Sequence, residues 1–451
     1  MPTNSAYNKM TILHITPHLG GGVGRVILNY LNTVKDSSLF RHKVACLDYA
    51  NDNALAVAKK IKLELADKLS SNQERLITMI SEADVILVHW WNHPLLYDFL
   101  VRVVLPPCRL VMWSHTAGFK PPYVFTEKIL KYPDRFVFTT PVSFKTKEVG
   151  KLSDKQKRSL RVVWSTGGID HVKSVKPKQH KGFNVGYIGT VDYAKLHPNF
   201  LNICSKINIP KVKFIVCGGA NERRIKQEAE ALGIDKKFNF TGTVADITKY
   251  LAIFDIFGYP LNPDHYGTCD QVLAESMAAG VVPVVLPNSM EKYMVKDGLT
   301  GIVAKNEADY IKAIQDLYQD RNLRNRLSKN AKYYAAKTFS VTKMAQEWEA
   351  IFKEVLVTAK TGKRWPLKKS KRELLAKDVF LESLGEYGKD FINYCRAKST
   401  NEKNKAEKKI TKLKNSLLWK SRTKGTVHQY YSFFPDDKLL ACWSDLISEN
   451  N

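Results

Sequence analysis

Residues 265–285 read His265-Tyr266-Gly267-Thr268-Cys269-Asp270-Gln271-Val272-Leu273-Ala274-Glu275-Ser276-Met277-Ala278-Ala279-Gly280-Val281-Val282-Pro283-Val284-Val285. Small residues up to Asp270 read as a loop, the following positions as an amphipathic helix, Gly280 as its stop and 281–285 as a buried strand. A loop feeding a helix N-terminus turns N–H groups and the positive end of the helix dipole toward an anion. Glu275, a turn or so further on, can accept hydrogen bonds from a sugar diol. A solvated helix glutamate is the ordinary alternative, but flanking by Val272, Leu273, Met277 and Ala278 encloses this one. Phosphate and sugar recognised by one element point to a nucleotide-sugar.

Outward from this stretch the same strand–loop–helix unit recurs. Strands are expected at 11–16, 42–47, 84–89, 109–113, 136–139 and 161–164, and again at 184–189, 212–218, 237–241, 253–259 and 281–286. Strands alternating with helices predict parallel, doubly wound sheets whose ligands bind at the carboxyl ends of the strands. A Lys-, Pro- and Gly-rich break separates the two series. The expected organisation is a Rossmann-like domain over 1–170, a linker over 171–182 and a second Rossmann-like domain over 183–340. A helix over 341–360 then returns to the first domain, and a basic, mostly helical extension covers 361–451. The two domains are expected to face each other across a cleft.

The bulk composition narrows the partners. The 451 residues carry a net charge of +26, with 44% hydrophobic residues, enough for two real cores. Residues 360–451 hold 21 Lys and Arg against 11 Asp and Glu, more than a third of that charge. Such a field attracts nucleic acid, anionic lipid or phosphorylated small molecules. No zinc finger or RNA-reading aromatic motif is present, so no nucleic acid is expected. In the extension, Ile410, Leu413, Leu417 and Leu418 fall on one helical face among lysines, beside Trp419. That pattern suits an anionic membrane surface, or equally packing on the body of the protein. Seven cysteines without CxxC spacing read as free thiols of a reducing compartment. The polar start, Met1 to Met10, shows no signal peptide, and no apolar run spans a bilayer. A cytoplasmic protein, peripheral on the inner face of the membrane, is the expectation.

Several residues carry candidate chemistry. Gly20-Gly21-Gly22-Val23-Gly24 follows the first strand and opens a helix; it reads either as a backbone cradle for phosphate or sugar or as a plain tight turn. Lys195, just after the strand ending at Gly189-Thr190, can stabilise a diphosphate as a point charge, or be one surface lysine among many. His115 follows the strand 109–113 and is placed for hydrogen bonding or proton transfer, or for a structural role. His14 with His18, and His89 with His93, have i,i+4 spacing but lie at strand ends near prolines, so they are not read as helical metal pairs. No Asp-x-Asp, HExxH, Gly-x-Ser-x-Gly or Walker loop is present.

With Gly-Gly-Val-Gly at 21–24, Gly189 with Lys195, Cys217-Gly218-Gly219, Phe240-Thr241-Gly242 and above all Glu275–Val285 in place, the chain resembles retaining glycosyltransferases of the GT-B fold, family 4 (glycosyl transferases group 1). The likeness covers roughly residues 11–358 and is more specific in the second half. It implies transfer of a sugar from an NDP-sugar, UDP-sugar first, to a glycan or lipid-linked acceptor, with no metal and no further cofactor. It places Lys195 on the diphosphate, Glu275 on the ribose, and Thr243 and Val244 at the base. Gly189, Thr190, Thr268, Cys269, Asp270 and Gln271 would line the phosphate and donor sugar, with Gly21 and Gly22 near the diphosphate and His115 near the reacting sugar. Two departures stand out. The family usually has a second glutamate where this chain has Gly267, and an arginine where it has Thr190. Asp270 would then take over the missing contact with the sugar. The resemblance leaves two other readings: a homologue that binds nucleotide-sugar without catalysis, and an NDP-sugar epimerase of the same fold.

Overall fold

The computed structural model describes residues 9–37, 39–265, 267–367, 373–423 and 425–448. Tyr266, most of the first ten residues and the side chain of Leu417, all used above, lie outside the described residues. The chain divides into two compact units: residues 1–165 together with 345–451, and residues 166–344.

The strands in chain order are β1 (Met10–Thr16), β2 (Phe40–Cys46), β3 (Glu64–Ala66), β4 (Val85–Trp90), β5 (Leu105–Cys108), β6 (Leu110–Ser114), β7 (Phe119–Lys120), β8 (Tyr123–Val124), β9 (Arg135–Phe138) and β10 (Leu160–Val162). They continue as β11 (Phe183–Ile188), β12 (Val212–Cys217), β13 (Phe238–Phe240), β14 (Ile256–Tyr259), β15 (Val282–Val285), β16 (Ile302–Val303) and β17 (Thr361–Lys363). The first unit holds a seven-stranded sheet in the order β10-β9-β6-β4-β1-β2-β3, and the second a six-stranded sheet in the order β13-β12-β11-β14-β15-β16. Every pairing within both sheets is parallel. Parallel strands must be covered on both faces, which is why β4, Val-Ile-Leu-Val-His-Trp, is buried along its whole length. Both sheets are of the Rossmann type that the sequence pattern predicts. The short strands β3 and β16 were not expected, since two or three residues carry no readable alternation.

At the carboxyl ends of β11 and β12 the backbones approach closely. Gly218 has φ +153°, and a Cβ there would lie 1.7 Å from the Gly189 carbonyl oxygen. No side chain fits, so the glycines of Gly189 and Cys217-Gly218-Gly219 keep this sheet edge tight.

The C-terminal region is helical, with helices Ala376–Leu384, Lys389–Arg396, Thr400–Thr411, Val427–Phe433 and Lys438–Ile447 among its elements. It builds a core with the first unit: Phe380, Phe391, Tyr430 and Trp443 are buried with Tyr97 and Trp365. Ile410 and Trp419 are buried there too, Trp419 lying 5.8 Å from the Phe391 ring. Those two apolar side chains are taken up by packing, which was one of the two expected readings. Lys403, Lys405, Lys408 and Lys409 of the same segment remain exposed. Among the described residues no helix is long and apolar enough to cross a membrane. None of the seven cysteines, all among the described residues, is joined in a disulfide.

Candidate functional site

The candidate donor residues gather at the carboxyl edge of the six-stranded sheet. The expected helix is present as Gln271–Ala278, with Asp270 at its N-cap. The Asp270 side chain makes no capping bond to the first turn. It is engaged elsewhere: Lys195 Nζ, from the segment after β11, lies 2.9 Å from Asp270 Oδ1. Both groups are largely buried, and the lysine also stands 5.5 Å above the Tyr259 ring. The Lys195 carbonyl accepts from Asn262 N at 2.8 Å, tying the two loops together.

Beneath this pair lies a second one that the sequence did not disclose. His265 Nε2 is 3.1 Å from Glu291 Oε1, with side chains 4% and 0% exposed. Gly267 N donates to His265 Nδ1 at 2.9 Å. The loop that lacks the usual glutamate at Gly267 is therefore shaped by His265, Asp270 and Glu291. Ligand-type atoms of these three lie within 4.8 Å of one another. Burial is the largest effect on Asp270 and would raise its carboxyl, but the charges of Lys195 and His265 outweigh it and hold the group at about 2. Burial lifts the Glu291 carboxyl against the pull of His265. His265 itself is pushed down by burial and more strongly up by Glu291, so its net shift is upward. Asp270 is thus ionised, with the Lys195 charge matched to it.

Glu275 is 2% exposed. Its Oε1 accepts from Gln271 Nε2 at 3.1 Å and lies 3.2 Å from His171 Nε2. Gln271 is itself clamped, donating to the Gly168 carbonyl at 2.7 Å and accepting from Gly167 N at 2.7 Å. The 167–171 segment therefore fixes the carboxylate on its helix. His171 carried no signal in the sequence, because it sits in the break between the two strand series. Thr190 and Thr243 are exposed at strand ends, Val244 and Thr268 are half-buried, and burial pushes the Cys269 thiol up. A Cβ on Gly219 would lie 2.6 Å from Thr243 Oγ1, so the β12 and β13 ends also pack tightly.

The remaining candidates belong to the first unit. Gly21 and Gly22 open the helix Gly21–Val34; Gly21 has φ +60°, and a Cβ on either would meet nothing within 4 Å. Their surface is open, whereas a Cβ on Gly24 would lie 3.2 Å from the Leu19 carbonyl carbon. His115 follows β6 at the carboxyl edge of the seven-stranded sheet, with its backbone N–H donated to the Trp90 carbonyl at 2.8 Å. Its Nε2 is 3.1 Å from His89 Nδ1. His14 and His89 bond each other across strands at 2.9 Å, so neither forms the i,i+4 pair that its spacing offers.

Residues 169–334 match the family model described as Glycosyl transferases group 1. Solved structures similar in fold include a glycosyltransferase from Rickettsia africae ESF-5, 13% identical over 78% of this chain and 100% of that one, with a TM-score of 0.63. HepE from Anabaena, solved in complex with UDP and glucose, is 15% identical over 76% of this chain and 100% of its own, at a TM-score of 0.60. The lipopolysaccharide outer core galactosyltransferase WaaB is 14% identical over 76% of this chain and 100% of its own, at 0.58. No curated protein sequence matches the chain. Residues 169–334 thus carry a Glycosyl transferases group 1 domain, in a chain of the two-sheet GT-B fold class shared with solved glycosyltransferases.

Proposed function

We propose that the protein is a retaining, metal-independent hexosyltransferase that moves a sugar from an NDP-sugar, with UDP-sugar the first choice, to a hydroxyl of a glycan or lipid-linked acceptor. The observation that carries this reading is the joint placement of Lys195–Asp270 and Glu275 at one sheet edge of the group 1 domain. Lys195 offers a fixed positive charge to the diphosphate. Glu275, held by Gln271 and His171, offers a fixed carboxylate to the ribose hydroxyls, and the chain at Thr243 and Val244 offers its backbone to the base. In the reaction the bond from the sugar's anomeric carbon to the phosphate oxygen breaks, and a bond to the acceptor oxygen forms on the same face. Lys195 and the N-terminus of the Gln271–Ala278 helix stabilise the charge on the departing diphosphate. In this reading the first unit is the acceptor side; the carboxyl edge of its own sheet carries His115, assigned to the reacting sugar, and the turn at Gly21 and Gly22, assigned to donor binding. The likeness in fold to WaaB, a lipopolysaccharide outer core galactosyltransferase, supports a role in cell-surface polysaccharide synthesis. The exposed lysines of the extension support residence at the inner face of a membrane.

One observation favours a second reading, a protein that binds nucleotide-sugar without transferring it: Asp270 already neutralises Lys195. A transfer assay with UDP-sugars and a glycan acceptor mixture decides between them. Transfer abolished by Glu275→Ala supports the enzyme; saturable binding without turnover supports the second reading.

A further inference from the structure

Four histidines of the first unit form a continuous hydrogen-bonded chain. His42 Nδ1 is 2.9 Å from His14 Nε2, His14 Nδ1 is 2.9 Å from His89 Nε2, and His89 Nδ1 is 3.1 Å from His115 Nε2. The strand register explains how they meet. His42 pairs with Ile12, and His14 is two residues beyond Ile12; Leu87 pairs with His14, and His89 is two beyond Leu87. Trp113 pairs with His89, and His115 is two beyond Trp113. A step of two residues returns to the same face of a sheet, so the imidazoles climb diagonally across β2, β1 and β4 to the carboxyl edge after β6. Tyr30 and Phe352 pack beside His42, with Trp113 beside His89 and His115.

The three bonds run in one sense, each from Nδ1 of one ring to Nε2 of the next. A neutral imidazole has one N–H and one acceptor nitrogen. Each bond needs one proton, so all four rings must share a tautomer: all Nδ1–H, or all Nε2–H. Burial keeps the rings neutral, holding His42 at about 4 and His115 at about 3, with His14 and His89 well below the ordinary range.

We propose that His115, His89, His14 and His42 form a proton relay leading from the carboxyl edge of the seven-stranded sheet to the half-buried His42. Starting from the all-Nε2–H state, a proton arriving at His115 Nδ1 sends the Nε2 proton of His115 to His89 Nδ1. His89 passes its Nε2 proton to His14 Nδ1, His14 passes its own to His42 Nδ1, and His42 releases its Nε2 proton to water. One proton enters, one leaves, and the chain ends all Nδ1–H. The source of the proton, the acceptor hydroxyl, rests on the proposed transfer reaction; the coupling of the four rings does not. His115 is the end that takes the proton, and the other three act through it as positioning residues.

The test is 15N NMR of the imidazoles in the full-length protein, selectively labelled at histidine. The relay predicts one tautomer in all four rings, and His42→Phe shifting the ring nitrogens of His115 three rings away. Two neighbouring rings in opposite tautomers overturn it, and the wild-type spectrum reads this even where a variant fails to fold. In the transfer assay, His42→Phe lowers kcat by roughly tenfold with the donor KM unchanged, against the ~100-fold expected when the base itself is lost; an unchanged kcat overturns the relay. Absence of transfer with every donor overturns the proposed reaction instead, and leaves the tautomer pattern to decide the relay.

Discussion

Lys195 Nζ and Asp270 Oδ1 form a buried ion pair of 2.9 Å, at the edge where the diphosphate of a donor is proposed to bind. The pair lets the lysine charge sit in a low-dielectric site before any anion arrives. Breaking a buried pair from one side leaves an uncompensated charge, so Asp270→Asn should lower stability by about 3 kcal/mol. The same change removes a carboxylate that competes with the diphosphate for Lys195, so UDP affinity should hold or rise. Lys195→Met should weaken UDP by about 2 kcal/mol, the value of a charged hydrogen bond. Denaturant unfolding and calorimetric titration with UDP check both; weaker UDP binding in Asp270→Asn would show that the aspartate itself is needed by the ligand.

Glu275 is expected to read the ribose. Glu275→Gln keeps its shape and removes the charge that Gln271 and His171 hold in place. Discrimination between UDP and its 2′-deoxy analogue should shrink by about 1–2 kcal/mol. Equal discrimination in both proteins would place the carboxylate in a structural role.

The buried histidines give stability a pH dependence of definite sign. His14, His42, His89, His93 and His115 all have folded values below the ordinary 6.5. As pH falls below that value the unfolded chain takes up protons that the folded chain refuses. Their contribution is therefore present above pH 6.5 and is lost on acidification toward about 4, by roughly 1.4 kcal/mol per pH unit for each histidine. Urea unfolding between pH 7 and 5 measures this; the effect should shrink when His93, outside the relay, is replaced by Phe.

Much of this was legible in the sequence, for identifiable reasons. The long strands declared themselves as apolar runs, and Glu275 stood out as a carboxylate enclosed by apolar neighbours. His171, His265 and Glu291 were not legible, because their meaning depends on contacts between loops and a four-residue helix far apart in the chain. The histidine chain was hidden differently. His14, His42 and His89 each lie in a different strand, with His115 just past a fourth, and the offset of two that joins them is a property of register.

The exposed lysines of the Thr400–Thr411 helix provide a separate check on membrane association. Replacing Lys403, Lys405, Lys408 and Lys409 by Gln should reduce binding to phosphatidylserine vesicles, while stability stays within about 0.5 kcal/mol because none of the four is buried. Undiminished vesicle binding would move the membrane contact elsewhere.

The central claim is that the six-stranded unit holds a nucleotide-sugar through Lys195 and Glu275. Calorimetric titration of the full-length protein with UDP-sugars and other NDP-sugars tests it most directly. The account predicts saturable binding of at least one donor, weakened by Lys195→Met and by Glu275→Gln. No binding of any donor, or binding unchanged in both variants, would contradict it.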